Sequence, residues 1–100
     1  MEIRVQSIHF TAGEKLQAFI EKKVGKVAKS CDQAATAEVF LKLVKPETSQ
    51  NKEVQIRISV PGGNSLHAEK ICDTFEEAID LCVEALQRQA EKYKEKQRAK

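Results

Sequence analysis

Between residues 29 and 37 the hydrophobic repeat of this chain drops from about 3.6 residues to about 2, and after residue 73 it rises again. The longer repeat lays apolar side chains along one stripe of a helix and the shorter lays them on one face of a strand. The order in which the two repeats alternate therefore restricts the folds open to the chain more than any single residue does.

The short repeat is clearest where Ala37, Val39, Leu41 and Leu43 alternate with Glu38, Phe40 and Lys42, and where Val54, Ile56, Ile58 and Val60 alternate with Gln55, Arg57 and Ser59. Ile3 and Val5 alternate with Arg4 and Gln6 in a shorter strand ending near His9. KPETSQNK, Lys45 to Lys52, is a polar connection broken by a proline. PGGN, Pro61 to Asn64, reads as a tight turn, since glycine and asparagine accept the positive φ of a sharp reversal; a fourth strand is predicted over about 65–70.

The long repeat occupies two segments. Thr11 with Glu14 spells a capping box, and Leu16, Ile20, Val24 and Val27 with Phe19 beside them predict a helix over about 12–29. Gly25 weakens it by about 1 kcal/mol relative to alanine. Asp73 with Glu76 spells a second cap, after which Phe75, Ile79, Cys82, Leu86 and Tyr93 predict a helix from about 74 to the C-terminal end. Some 25 residues at about 1.5 Å each give about 38 Å, longer than such a sheet is wide, so its end should project past the core, with the last few residues frayed.

The resulting order, β-α-β-β-β-α, describes an α+β domain with a four-stranded mixed sheet. A right-handed crossover makes strands one and two parallel, strands two to four follow as an antiparallel meander, and both helices cover one face. Each strand is apolar on one side only, which leaves Arg4, Lys42, Arg57 and His67 on a face open to water. One hundred residues with 41% hydrophobic and 32% charged composition suit one core, so residues 1–100 are expected to form a single domain. No apolar run is long enough for a membrane span and MEIRVQ lacks the look of a signal peptide, which predicts a cytoplasmic protein. Cys31, Cys72 and Cys82 form no CxxC and meet no paired histidines, so reduced structural thiols are expected rather than a metal site or disulfides.

A net charge of +2 decides nothing; the distribution does. Lys15, Lys22, Lys26 and Lys29 fall within about 60° of one another on the first helix, while Glu14 and Glu21 lie elsewhere around it. The last helix is acidic first, with Glu76, Glu77, Asp80 and Glu84, and basic from Arg88 onward, with Lys92, Lys94, Lys96, Arg98 and Lys100 against Glu91 and Glu95. The helix macrodipole accounts for part of that order, at about 0.3–1 kcal/mol per charge near each end. It does not account for the first helix's stripe. Two basic strips on one sheet face suit a phosphate backbone, with a solvated surface as the bland alternative.

Other chemistry is sparse. His9 and His67 stand alone on strands, and no nucleophile elbow, phosphate loop, zinc motif or dinucleotide fingerprint occurs. Phe40 on the open face is suited to stacking a base, yet a sheet-binding RNA module uses several aromatics. No cofactor, metal or small-molecule substrate is expected.

The order of elements and several stretches resemble the short ribosome hibernation promoting factors and the related ribosome-associated translation inhibitors. LQAFIEKKVGKVAK is similar to that family's first helix, VFLKLVK and VQIRISVPGG to its second and third strands. The most specific likeness is LHAE followed by DTFEEAIDLCVEALQRQAEKYKEK. The resemblance covers essentially the whole chain and implies a domain similar to a double-stranded RNA-binding fold with an added first strand. It also implies a non-enzymatic protein, monomeric when free, that binds ribosomal RNA of the small ribosomal subunit in the mRNA channel over the tRNA A and P sites and silences translation in resting or starved cells. Carried over by position, the RNA contacts are Lys22, Lys23, Lys26 and Lys29 on the first helix and Arg88, Lys92, Lys94 and Lys96 on the last. The family commonly has tyrosine where Phe75 stands and lysine where Ala85 stands, and Glu91 falls where it is usually more basic. The alternatives are a general binder of structured RNA, a small α+β enzyme, and a protein-binding adaptor that uses Arg57 and Phe40.

Overall fold

The computed structural model describes residues 2–8, 12–30, 36–44, 51–60 and 64–98, with backbone alone over 28–30, 64 and 93–98. Six elements follow in the order strand β1 (Glu2–Ile8), helix α1 (Glu14–Ser30), strands β2 (Thr36–Leu43), β3 (Lys52–Val60) and β4 (Asn64–Cys72), and helix α2 (Phe75–Arg98). The sheet order is β1-β2-β3-β4, with β1 and β2 parallel and the other two pairings antiparallel. The α+β class, the mixed four-stranded sheet and the β-α-β-β-β-α order are thus as the periodicity predicts.

The register aligns the apolar alternation of all four strands. Ile3, Ala37, Ile58 and Leu66 form one inward row, and Val5, Val39, Ile56 and Ala68 the next. Ala37, Val39, Ile56 and Ile58 lose all solvent exposure. Ile20, Val24 and Val27 of α1 and Ala78, Ile79, Cys82, Leu86 and Ala90 of α2 close over these rows, with Leu16 and Phe19 half-buried at the margin. Burying a side chain of that size contributes about 1.5–3 kcal/mol, which is why a one-residue slip of any strand is strongly resisted.

Two boundaries differ from the sequence reading. Thr74 caps α2 one residue after the predicted Asp73: the Glu77 amide donates to Thr74 Oγ1 at 3.1 Å, and the Ala78 amide donates to the Thr74 carbonyl at 3.2 Å. Thr74 and Glu77 carry the same spacing one residue later, and the shift leaves Phe75 in the first turn to pack inward. Helix α1 begins at Glu14, where the Gln17 amide donates to the Gly13 carbonyl at 3.0 Å. Thr11, the turn over 61–63, His9, Cys31 and the last two residues lie outside the described residues, as do the side chains of Lys29, Tyr93, Lys94 and Lys96.

The strand directions settle the helices. Strands β1, β2 and β4 point one way and β3 the other, so α1 after β1 and α2 after β4 return in the same sense. They lie side by side on one face of the sheet, and the opposite face carries neither of them.

Candidate nucleic-acid interface

Each helix is oriented by its apolar stripe, so its charged flanks are aimed by the core. Burial of Ile20, Val24 and Val27 turns Lys15, Lys22 and Lys26 outward, and all three are exposed. Burial of Ile79, Cys82, Leu86 and Ala90 does the same for Arg88 and Lys92. The backbone of α2 continues as helix to Arg98, eight residues or about 12 Å beyond Ala90, the last residue described as buried. That stretch of helical backbone carries the positions of Lys92, Lys94 and Lys96.

Lys23 is different. Its ammonium stands 3.2 Å from the Asp80 carboxylate of α2 and 5.4 Å from the centre of the Phe19 ring, with the lysine side chain only 26% exposed. The groove between the helices is lined by Lys23 and Lys26 from one side and Asp80, Val83, Glu84 and Gln87 from the other. Parallel helices bring the acidic first half of α2 alongside the lysines of α1. The groove is therefore mixed in charge, not basic as the two helices' separate patterns suggest. Within α2 alone the helix dipole accounts for Asp80 and Glu84, since the neighbouring helix leaves no mark on the periodicity of α2. Their i,i+4 spacing on the flank of the buried stripe is the signal that marks them.

Among the described residues Lys22, Lys26, Arg88 and Lys92 are exposed and none is held in an ion pair. These four cations, with the exposed Lys15 of the same α1 stripe, form the available part of the interface among the described residues, and Lys23 is a joint of the two helices.

Gln89 was not singled out by periodicity. Its side-chain amide donates to the His67 carbonyl at 2.7 Å, and its carbonyl accepts from the His67 amide at 3.1 Å. The pair satisfies both outward backbone groups of edge strand β4 at that residue and pins α2 where its basic half begins. Nothing in one dimension marks it.

Among the described residues no group of three histidines, cysteines or acids is placed to hold a metal ion, and no helix is long and apolar enough to cross a membrane. Cys72 and Cys82 are buried free thiols. Burial pushes the Cys82 thiol up to about 12, and its S–H donates to the Val54 carbonyl at 3.6 Å.

Residues 3–98 match the family described as Sigma 54 modulation protein / S30EA ribosomal protein. Among curated proteins the chain is 25% identical over 99 residues to a ribosome hibernation promoting factor of Pseudomonas putida, covering 99% of this chain and 92% of that protein. It is 28% identical over 95 residues to a ribosome hibernation promotion factor of Staphylococcus aureus, covering 94% of this chain and 48% of that longer protein. Among solved structures, the N-terminal domain of Protein Y from Thermus thermophilus superposes with a TM-score of 0.80 at 21% identity, over 93% of this chain and 99% of that one. A ribosomal subunit interface protein from Coxiella burnetii gives a TM-score of 0.83 at 22% identity, over 94% and 98% of the two chains. At those identities the structural likeness speaks for the fold.

Proposed function

This chain belongs to the Sigma 54 modulation protein / S30EA ribosomal protein family, and on that footing we propose that it is a ribosome hibernation factor. It binds the small ribosomal subunit in the mRNA channel over the tRNA A and P sites and keeps resting ribosomes from translating. The observation that carries this reading is that, among the described residues, Lys22 and Lys26 on α1 and Arg88 and Lys92 on α2 are exposed cations outside any ion pair.

The mechanism is occupancy. Cations held on rigid helices displace counterions from ribosomal RNA phosphates without first having to be ordered. Lys29, Lys94 and Lys96 extend the same helices toward further phosphates. The folded sheet then fills space that mRNA and tRNA need, and no bond is made or broken. Lys23 acts through Asp80 by holding the two helices in register, and reaches RNA itself only when that pair opens.

Co-sedimentation with purified small subunits tests the reading. Reversing Lys22, Lys26, Arg88 and Lys92 together to glutamate should abolish binding while the melting temperature stays close to that of the parent chain. Binding that survives the reversal, or that does not weaken with added salt, refutes the electrostatic mechanism. A free RNA hairpin that competes as well as small subunits would instead identify a general binder of structured RNA.

A further inference from the structure

The sheet face opposite the helices carries a second pattern. Its outward rows, read across β1 to β4, are Gln6, Phe40, Gln55 and Glu69, and then Arg4, Glu38, Arg57 and His67. Where those rows adjoin, Phe40, Gln55, Arg57 and His67 line one hollow. A second hollow on the other flank of Phe40 adds Ile8, Lys42 and Glu53.

Three of the four groups around the first hollow present a broad π face: a phenyl ring, a guanidinium and an imidazole. Such groups stack on nucleobases, whose faces are all aromatic. The fourth, the Gln55 amide, donates through Nε2 to Glu53 Oε1 at 3.2 Å, which leaves its carbonyl oxygen as an acceptor. His67 is held at its backbone by both bonds to Gln89, so its ring starts from a fixed base. Phe40 is half-buried and thus anchored, while Lys42 and Arg57 are exposed and, among the described residues, outside any ion pair.

We propose that this hollow is a binding site for an unpaired RNA base. The base stacks on Phe40 with its polar edge over Gln55, and Arg57 and Lys42, on opposite flanks of Phe40, each take a flanking phosphate. Glu38 faces Arg57 and Glu53 faces Lys42 across β2 and β3, and Glu69 beside Gln55 shares a hydrogen bond with Glu53, so the site carries no net positive charge. Affinity here comes from stacking, with little counterion release, in contrast to the helix side. The site shares no residue with the helix cations and stands or falls separately from them.

Titrating the isotope-labelled full chain with the oligonucleotide hexaadenylate, followed by amide NMR, tests this. Shifts should gather at Phe40, Gln55, Arg57 and His67. Phe40→Ala should weaken the complex about tenfold or more, Phe40→Tyr should retain it, and Arg57→Ala, which removes no packed group, should weaken it as well. Two phosphate contacts predict a loss of only about sevenfold between 50 and 200 mM salt. Reversal of the four helix cations should leave these shifts in place. Shifts confined to the helices, an unchanged affinity in a folded Phe40→Ala chain, or shifts at this hollow with an aromatic peptide but none with hexaadenylate would overturn the proposal.

Discussion

Replacing Asp80 by asparagine should move stability and RNA affinity in opposite directions. The carboxylate lies 3.2 Å from the Lys23 ammonium, and the pair is partly open to water, with side-chain exposures of 26% and 51%. Exposed pairs of this kind contribute about 0.2–1 kcal/mol, so the variant should melt about 1–8 °C lower for a domain of this size. The same change releases Lys23 beside Lys26 in the inter-helix groove. Lys22, Lys26, Arg88 and Lys92 alone contribute about −2.8 to −3.6 to the log–log salt slope for small subunits, or about 50- to 150-fold between 50 and 200 mM salt, and Lys29, Lys94 and Lys96 add to it. Lys23, once released, steepens the parent slope by about a further 0.7 to 0.9. Binding should therefore be tighter at low salt and fall more steeply, by about a further 2.6- to 3.5-fold over the same interval. Sedimentation at four salt concentrations reads the slope directly, beside a thermal melt. If affinity and melting temperature fall together with no change in slope, Asp80 holds the helices in a geometry that RNA requires, and the masking argument is wrong.

Other perturbations have equally definite outcomes. A Cβ at Gly25 meets nothing within 4 Å, so Gly25→Ala should stabilise the chain by about 0.8–1.0 kcal/mol in a chemical denaturation curve, and no gain would mean that α1 is not helical there. The Glu69 carboxyl is held above its ordinary range by a hydrogen bond with Glu53, with desolvation and repulsion from Glu53 adding to it. An acid whose pKa is raised on folding adds stability at low pH that is lost as pH rises through the raised value. Glu69→Gln should accordingly stabilise the protein at pH 7 and give no gain below about pH 4, as seen in melts across that range. With its thiol pushed up to about 12 by burial, Cys82 should resist alkylation at pH 8 until the chain is unfolded, and labelling of the native protein at the rate of a free thiol would contradict its packing against Val54.

Much of the architecture was legible in one dimension because each element writes its own period. Ala37, Val39 and Leu41 could bury every second side chain only as a strand, and Ile20, Val24 and Val27 could share a face only as a helix. The element order and the single-faced alternation then required a mixed sheet with helices on one side. Local signals are ambiguous at the start of α2: Asp73–Glu76 and Thr74–Glu77 carry the same capping spacing, and the folded chain places Thr74 Oγ1 on the Glu77 amide with Phe75 buried beside it.

The candidate site divides along the same line. That Lys22, Lys26, Arg88 and Lys92 lie beside apolar stripes is a property of the sequence, because helical geometry and burial of the stripe dictate where flanking charges point. Which of the cations are available is a property of the tertiary structure. The parallel run of α1 and α2 places Asp80 against Lys23, and the docking of α2 on β4 closes Gln89 onto His67. Strand register likewise gathers Phe40, Gln55, Arg57 and His67 around one hollow. Interactions between residues 57 and 22 positions apart in sequence have no periodicity to reveal them, since their distance depends on how whole elements pack.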